Sequence, residues 1–366
     1  KVLSFKPDDI QAILGHARLD MNEGNTAAAR QRYQAVLALQ PDHAGVLVSL
    51  AYLLDREGDT DEALELVEKA RIADAELLEP RLILSDFYLR RGEAREALEY
   101  AREAQRIDPK DRRVLLVLGK AQLGVGDPAA KQTFEELAER EPGNPESHYY
   151  LALVMVKAGD LQGARNSLHK VLKLNPDHNQ SRLVLGNVEL KAENTAAALE
   201  IARQLQKTIP DSAAGYLLEG DVMMARHESQ KALSVYQSAL SRAQNSEAVI
   251  KVNKVQQKLG NAKAGYDALL KWLEQHPDDL LVRFSLATTY MADGKNDAAK
   301  NQLRMIIEKQ PDNAVALNDL AWLIYKSGEQ GALEMAERAH RLAPENAAIQ
   351  DTYGWLLVQT GREEQG

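Results

Sequence analysis

Leu280–Asn313 reads LLVRFSLATTYMADGKNDAAKNQLRMIIEKQPDN. Two stretches of helical period flank Gly294, and Pro311 closes the second. A glycine ends a helix by entering the left-handed region without a Cβ penalty. A proline stops one because it has no amide to donate. The same punctuation recurs along the chain, with turns at Gly24, Gly58, Gly92, Gly126, Gly159, Glu193, His227, Gly260, Gly294, Gly328 and Gly361, each step 33 or 34 residues. A unit of this length cannot bury its apolar face alone, so copies must stack into a solenoid.

Seven residues before each turn the side chain is small in every repeat but one, including Ala17, Ala51, Ser85, Gly119, Ala152, Gly186, Gly220, Ala287 and Ala321. A second small column runs through Ala29, Ala63, Ala97, Ala130, Ala164, Ala198, Ala232, Gly265, Ala299 and Ala332. Facing columns of small residues let two helices pack closely. The exception is Asn253. With His227 in place of the turn glycine and no proline near Gln244, it predicts a weak junction between Ala225 and Gly265. At Glu193 the neighbouring Asn194 is expected to supply the left-handed residue.

Within Leu280–Asn313, Leu286, Ala287, Tyr290, Gly294, Ala299 and Pro311 stand where the tetratricopeptide repeat places its signature residues, and the resemblance covers nearly the whole chain. It implies an all-α, right-handed superhelical solenoid. About ten complete helix-turn-helix repeats should start near residues 10, 44, 78, 112, 145, 179, 213, 246, 280 and 314, with a partial repeat over 347–366. Residues 1–9 read as the tail of a preceding repeat, because Pro7 lies 34 residues before Pro41. The array is expected to be a single domain.

The 366 residues are 27% charged and 5% aromatic, with a net charge of −9. That balance speaks against a general nucleic-acid binder, which needs clustered cations. There is no cysteine, so thiol chemistry is excluded. No apolar run is long enough to span a membrane. No phosphate-binding loop, nucleophile elbow or zinc motif is present, and the eight histidines are scattered without ligand spacing. No cofactor, no metal and no catalysis are expected of this chain.

Such arrays resemble grooves lined by first helices, at positions ten, six, three and two before each turn. Two before the turn lies a basic ladder of Arg56, Arg90, Lys157, Lys191, Lys258 and Lys326 in an acidic protein. It suits an acidic ligand, possible partners including an acidic polysaccharide. Cations near helix C-termini are also favoured by the dipole alone. The last three repeats set Phe284, Met291, Trp322, Tyr325 and Trp355 at groove positions with Asn318 and Asp351 among them. Aromatic rings beside polar groups suit peptide side chains or sugar rings.

The family resemblance implies a non-catalytic scaffold holding a protein or peptide in a concave groove. The carboxylate clamp of chaperone co-factors is not matched: its Lys/Asn pair would fall on Leu14/Arg18, Val48/Tyr52, Leu183/Asn187 and Asn318/Trp322. Ala316–Leu323 (ALNDLAWL) and Asp351–Leu357 (DTYGWLL) resemble the envelope lipoproteins of PEP-CTERM/exosortase exopolysaccharide systems. That likeness implies a periplasmic or outer-membrane-associated scaffold, lipid-anchored through a segment outside this one, for exopolysaccharide export or protein sorting. The alternatives are an intracellular peptide-binding adaptor and the recruiting arm of an enzyme.

Overall fold

The computed structural model describes residues 8–362, and within them the only regular secondary structure is helical, with 21 α-helices and no strand. The expected repeat tail over Lys1–Pro7 and the last residues, 363–366, lie outside the described residues. The chain divides at Ser181/Arg182 into two compact units.

The first unit contains α1 (Ile10–Asn22), α2 (Thr26–Leu39), α3 (Ala44–Glu57), α4 (Thr60–Ala73), α5 (Leu78–Arg90), α6 (Ala94–Ile107), α7 (Arg112–Val125), α8 (Ala129–Arg140), α9 (Pro145–Lys157) and α10 (Leu161–Leu174). The boundary falls in α11 (Asn179–Lys191). The second unit continues with α12 (Thr195–Thr208), α13 (Ala214–Ala225), α14 (Ser229–Arg242), α15 (Ser246–Lys258) and α16 (Ala262–Gln275). It ends with α17 (Leu280–Ala292), α18 (Asn296–Lys309), α19 (Ala314–Ser327), α20 (Ala332–Leu342) and α21 (Ala347–Gln359). Odd-numbered helices are the first of each repeat and even-numbered ones the second. Consecutive helices pack on one another from α1 to α10 and from α12 to α21, and first helices such as α5 and α7, or α19 and α21, also touch.

Capping follows the sequence. Asp9, Asn25, Asp160, Asn245, Asp279 and Asn313 each accept the amide three residues on with a side-chain oxygen, satisfying a donor the helix leaves open. At the other end the chain reverses through a left-handed residue. The amide of Lys295 reaches back to the Tyr290 carbonyl at 2.8 Å, with Gly294 at φ 70° between them. The same closure holds at the two turns without glycine. Asn194 donates to Glu189 and Glu228 to Met223, each at 2.8 Å, and Glu193 and His227 take φ 62° and 61°. The expectation for Asn194 is therefore corrected: it sits at φ −80° as the cap of α12, and Glu193 itself bears the strain. The reason is that the bond pattern fixes which residue must turn left-handed, whatever stands next to it.

The two small columns form the seam between paired helices: Ala17, Ala29, Ala152, Ala164, Ala287 and Ala299 are fully buried. In the first unit a continuous apolar cluster includes Ile13, Tyr33, Val36, Leu50, Leu54, Val67 and Leu84. In the second, Leu303, Ile306, Leu320, Leu323, Ala336 and Leu356 form its counterpart from α18 to α21. At two of the seam glycines a ring fills the space. A Cβ on Gly119 would come within 2.6 Å of Phe134, and one on Gly220 within 2.1 Å of Tyr236. Asn253 is accommodated in the reverse sense. Its partner column holds Gly265, where a Cβ would meet the Asn253 Oδ1 at 2.5 Å, and its Nδ2 donates to Thr289 Oγ1 at 3.0 Å.

Candidate ligand-binding surface

The faces of the first helices turned away from the seam carry the side chains that packing does not use. Among the clefts that form there, one in each unit carries exposed aromatic residues.

In the second unit, Asn318, Asp319 and Trp322 of α19 and Asp351, Thr352 and Trp355 of α21 line a cleft of about 390 Å³. Helical spacing builds it: Asn318 and Trp322 are one turn apart, as are Asp351 and Trp355, so each helix offers a polar group and an indole on one face. Trp355 is 49% exposed. Asn318 is buried. Its Nδ2 donates to Asp319 Oδ1 at 3.3 Å, while its own Oδ1 has no partner. Burial holds the Asp319 carboxyl above the usual carboxylate range, and the Asn318 amide only partly offsets this.

The structure thus brings together four of the sequence-derived candidates, Asn318, Trp322, Asp351 and Trp355. The others are placed differently. Phe284 and Met291 are half-buried against the apolar cluster of the last repeats, outside this cleft. Tyr325 also packs there, with its ring 6.0 Å from Trp322 and its hydroxyl bonded to Gln359 at 3.2 Å. Asp319 and Thr352 were not singled out from the sequence. They lie nine residues before their turns, a column outside the four taken to line the groove.

The basic ladder has local employment. All six members stand in the last turn of a first helix. Lys157 donates to the Leu123 carbonyl at 2.9 Å, at the end of α7. Arg90 pairs with Asp86 at 3.3 Å and Asp55 at 3.8 Å. The Arg56 guanidinium lies 5.9 Å from the Tyr52 ring, and the Lys326 ammonium 4.9 Å from that of Trp322. Lys191 and Lys258 are exposed. Open carbonyls and the helix dipole account for cations at these places.

The second cleft, of about 540 Å³, lies in the first unit across α3, α5 and α7. Leu82, Phe87, Leu116 and Val117 give it an apolar floor, and Tyr52, Asp55, Asp86 and Lys120 form its rim. Tyr52 is 57% exposed. Of the sequence-derived candidates Arg90 also lines this cleft, which was not otherwise read from the sequence as a site. Its signal was the change from Tyr52 to Asp86 to Lys120 in the column six before the turn, against the constancy of the seam.

Comparison with known proteins fits this architecture. Segments 20–82, 128–188 and 155–220 match a tetratricopeptide repeat family model. A TPR repeat-containing protein of Pseudomonas aeruginosa is 34% identical over 103 residues, 26% of this chain. The matched part spans 17% of that relative's length. Among solved structures, the yeast Tom70 crystal structure superposes with a TM-score of 0.57 at 13% identity, covering 98% of this chain and 90% of that one. A tetratricopeptide repeat protein of Parabacteroides merdae gives 0.54 at 16% identity, covering 68% and 98%. The protein is a tetratricopeptide-repeat solenoid by fold. Proteins of this fold are typically non-catalytic and mediate protein–protein interaction. Among the described residues no helix is long and apolar enough to cross a membrane.

Proposed function

We propose that this protein is a non-catalytic scaffold that takes peptide or protein segments along the exposed faces of its first helices. One observation carries the reading: large aromatic side chains, Tyr52 and Trp355, stand about half exposed on rigid helices at the rims of two clefts. Exposed rings held in place cost little entropy on binding and offer large contact area. Selection of ligands from a displayed peptide library tests it. Photo-crosslinkers placed at Tyr52 and Trp355 should capture the selected peptides, and those placed at Leu39 or Ile72, on second helices, should not. Trp322→Ala should weaken a cleft-binding peptide by ~1–2 kcal/mol with helicity unchanged. Loss of thermal stability with intact binding would instead make Trp322 a packing residue.

Within that reading we place the protein in the bacterial envelope, supporting exopolysaccharide production or export, or the sorting of PEP-CTERM proteins, and held at a membrane by a lipid. The support is the likeness of Ala316–Leu323 and Asp351–Leu357 to that group. Metabolic labelling of the native protein with a radioactive fatty acid, followed by membrane fractionation, decides between this and an intracellular adaptor. An unlabelled protein confined to the cytosol would remove the envelope assignment. An acidic polysaccharide has weaker support as ligand, since Arg90 and Lys157 are already engaged.

A further inference from the structure

We propose that the cleft between α19 and α21 receives a cationic side chain, an arginine in an extended peptide segment, against the Trp322 and Trp355 indoles and the carboxylates of Asp319 and Asp351. The inference rests on the scaffold reading and specifies the chemistry of one of its sites.

The column ten residues before the turn sets these two repeats apart. Along the chain it reads Leu14, Val48, Leu82, Leu116, Tyr149, Leu183, Leu217, Ile250 and Phe284, and then Asn318 and Asp351. An apolar position thus becomes polar in two adjacent first helices and nowhere else. In the same two helices, and only there, the column six before the turn holds tryptophan. Two independent columns change together in the repeats that form the cleft.

Trp355 is exposed, and of its equivalents with further repeats after them Arg18, Tyr52, Asp86, Asn187, Lys254 and Thr288 are exposed while Lys120, Leu153, Asp221 and Trp322 are half-buried. None is fully buried, so a following repeat does not close this column.

The polar chemistry of the cleft is that of acceptors. The buried Asn318 Oδ1 has no partner, and the amide nitrogen already donates to Asp319. Asp319 and Asp351 add two carboxylates. The Thr352 hydroxyl is spent on the Ala348 carbonyl at 3.0 Å. Carboxylates here repel an anion, and a neutral sugar hydroxyl donating to them gains less than a cation does. A guanidinium offers five donors in a plane that both stacks on indole and meets carboxylates. The Lys326 ammonium already lies 4.9 Å from the Trp322 ring, so this ring accepts a cation in its own fold.

The test uses the whole chain and an arginine-containing pentapeptide, Gly-Gly-Arg-Gly-Gly, acetylated and amidated so that its only charge is the guanidinium. Indole N–H resonances report binding, with Trp272 as an internal control because its N–H is bound to Asp279 at 2.7 Å. Trp322 and Trp355 should shift, and Trp272 should not. The citrulline analogue should bind at least tenfold more weakly, and the glutamate analogue should not bind. Asp351→Asn and Trp355→Ala, both exposed positions, should each weaken binding tenfold or more without changing the thermal midpoint, whereas Lys258→Ala should leave it unaltered. Equal binding of citrulline, shifts confined to Trp272, or no binding would overturn the proposal. If library peptides crosslink at Trp355 but carry no excess of arginine or lysine, the cationic specificity falls and the scaffold stands. If no peptide of any composition binds, both fall.

Discussion

Gly119 and Gly220 are glycine because of what lies across the seam. The Phe134 and Tyr236 rings occupy the volume their Cβ atoms would take. Gly119→Ala should therefore cost about 1–3 kcal/mol in urea unfolding, and Phe134→Leu should recover part of that loss in the double variant. The small columns were legible in the sequence because every repeat restates them. The compensation of Asn253 by Gly265 was not, since it depends on two residues meeting across a hairpin. His227 and Glu193 carry left-handed backbone that glycine adopts freely. His227→Gly should stabilise by about 0.5–1 kcal/mol, the relief of strain less the entropy glycine brings. Asp319 behaves oppositely to a structural carboxylate. Its pKa is raised in the fold, so its contribution is favourable below the unfolded value and is lost as pH rises through the folded one. Asp319→Asn should make the protein more stable at neutral pH while weakening arginine binding, a pairing that a purely structural residue would not give.

At the scale of helices, one device recurs that the sequence did not announce. A long polar side chain in the first turn of a first helix donates to the carbonyl of the proline six residues earlier. Arg283 reaches Pro277 at 2.7 Å, His148 reaches Pro142 at 3.1 Å and Gln350 reaches Pro344 at 2.6 Å. Each bond ties the end of one helix to the start of the next. Three different residue types serve it, so no column of identical letters marks it. Arg283→Met should cost about 1–3 kcal/mol, because a carbonyl loses its donor beside a buried side chain. Asp279 caps α17 in the same region. Burial by itself would raise its pKa, but hydrogen bonds from Ser246, the Val282 amide and Trp272 outweigh that and hold the carboxyl below its usual range. A depressed carboxylate stabilises above the unfolded pKa of ~3.9 and loses that contribution as pH falls through the folded value. Asp279→Asn should flatten this acid-limb loss, measured by chemical unfolding at a series of pH values. The acidic-aromatic cleft was half legible for a related reason. Register from the turns identified Asn318, Trp322, Asp351 and Trp355, but it could not tell that Phe284 and Met291 lean into the apolar cluster or that Asp319 turns into the cleft.

For the molecule as a whole, stability in a repeat array is roughly a sum of repeat and neighbour contributions, so a local defect stays local. Of the three departures between Ala225 and Gly265, Asn253 has hydrogen-bond partners at Thr289 and Gln257 and a matching glycine. The weakness is therefore expected to narrow to the His227 turn and the end of α14 near Gln244, where no proline follows the helix. Hydrogen exchange should be faster there than at the Gly294 turn, with α15 and α17 protected alike; equal rates at the two turns would show that the left-handed histidine costs nothing. The exchanged volumes across the seam also bear on how such a protein can be recombined. Gly119 with Phe134, Gly220 with Tyr236 and Asn253 with Gly265 act as matched pairs, each inside one hairpin. A single helix transplanted from one repeat to another would arrive without its counterpart and either collide or leave a void. The unit that can be shuffled, duplicated or grafted is the hairpin, and breakpoints chosen in the loops between repeats will succeed where those at the glycine turns fail.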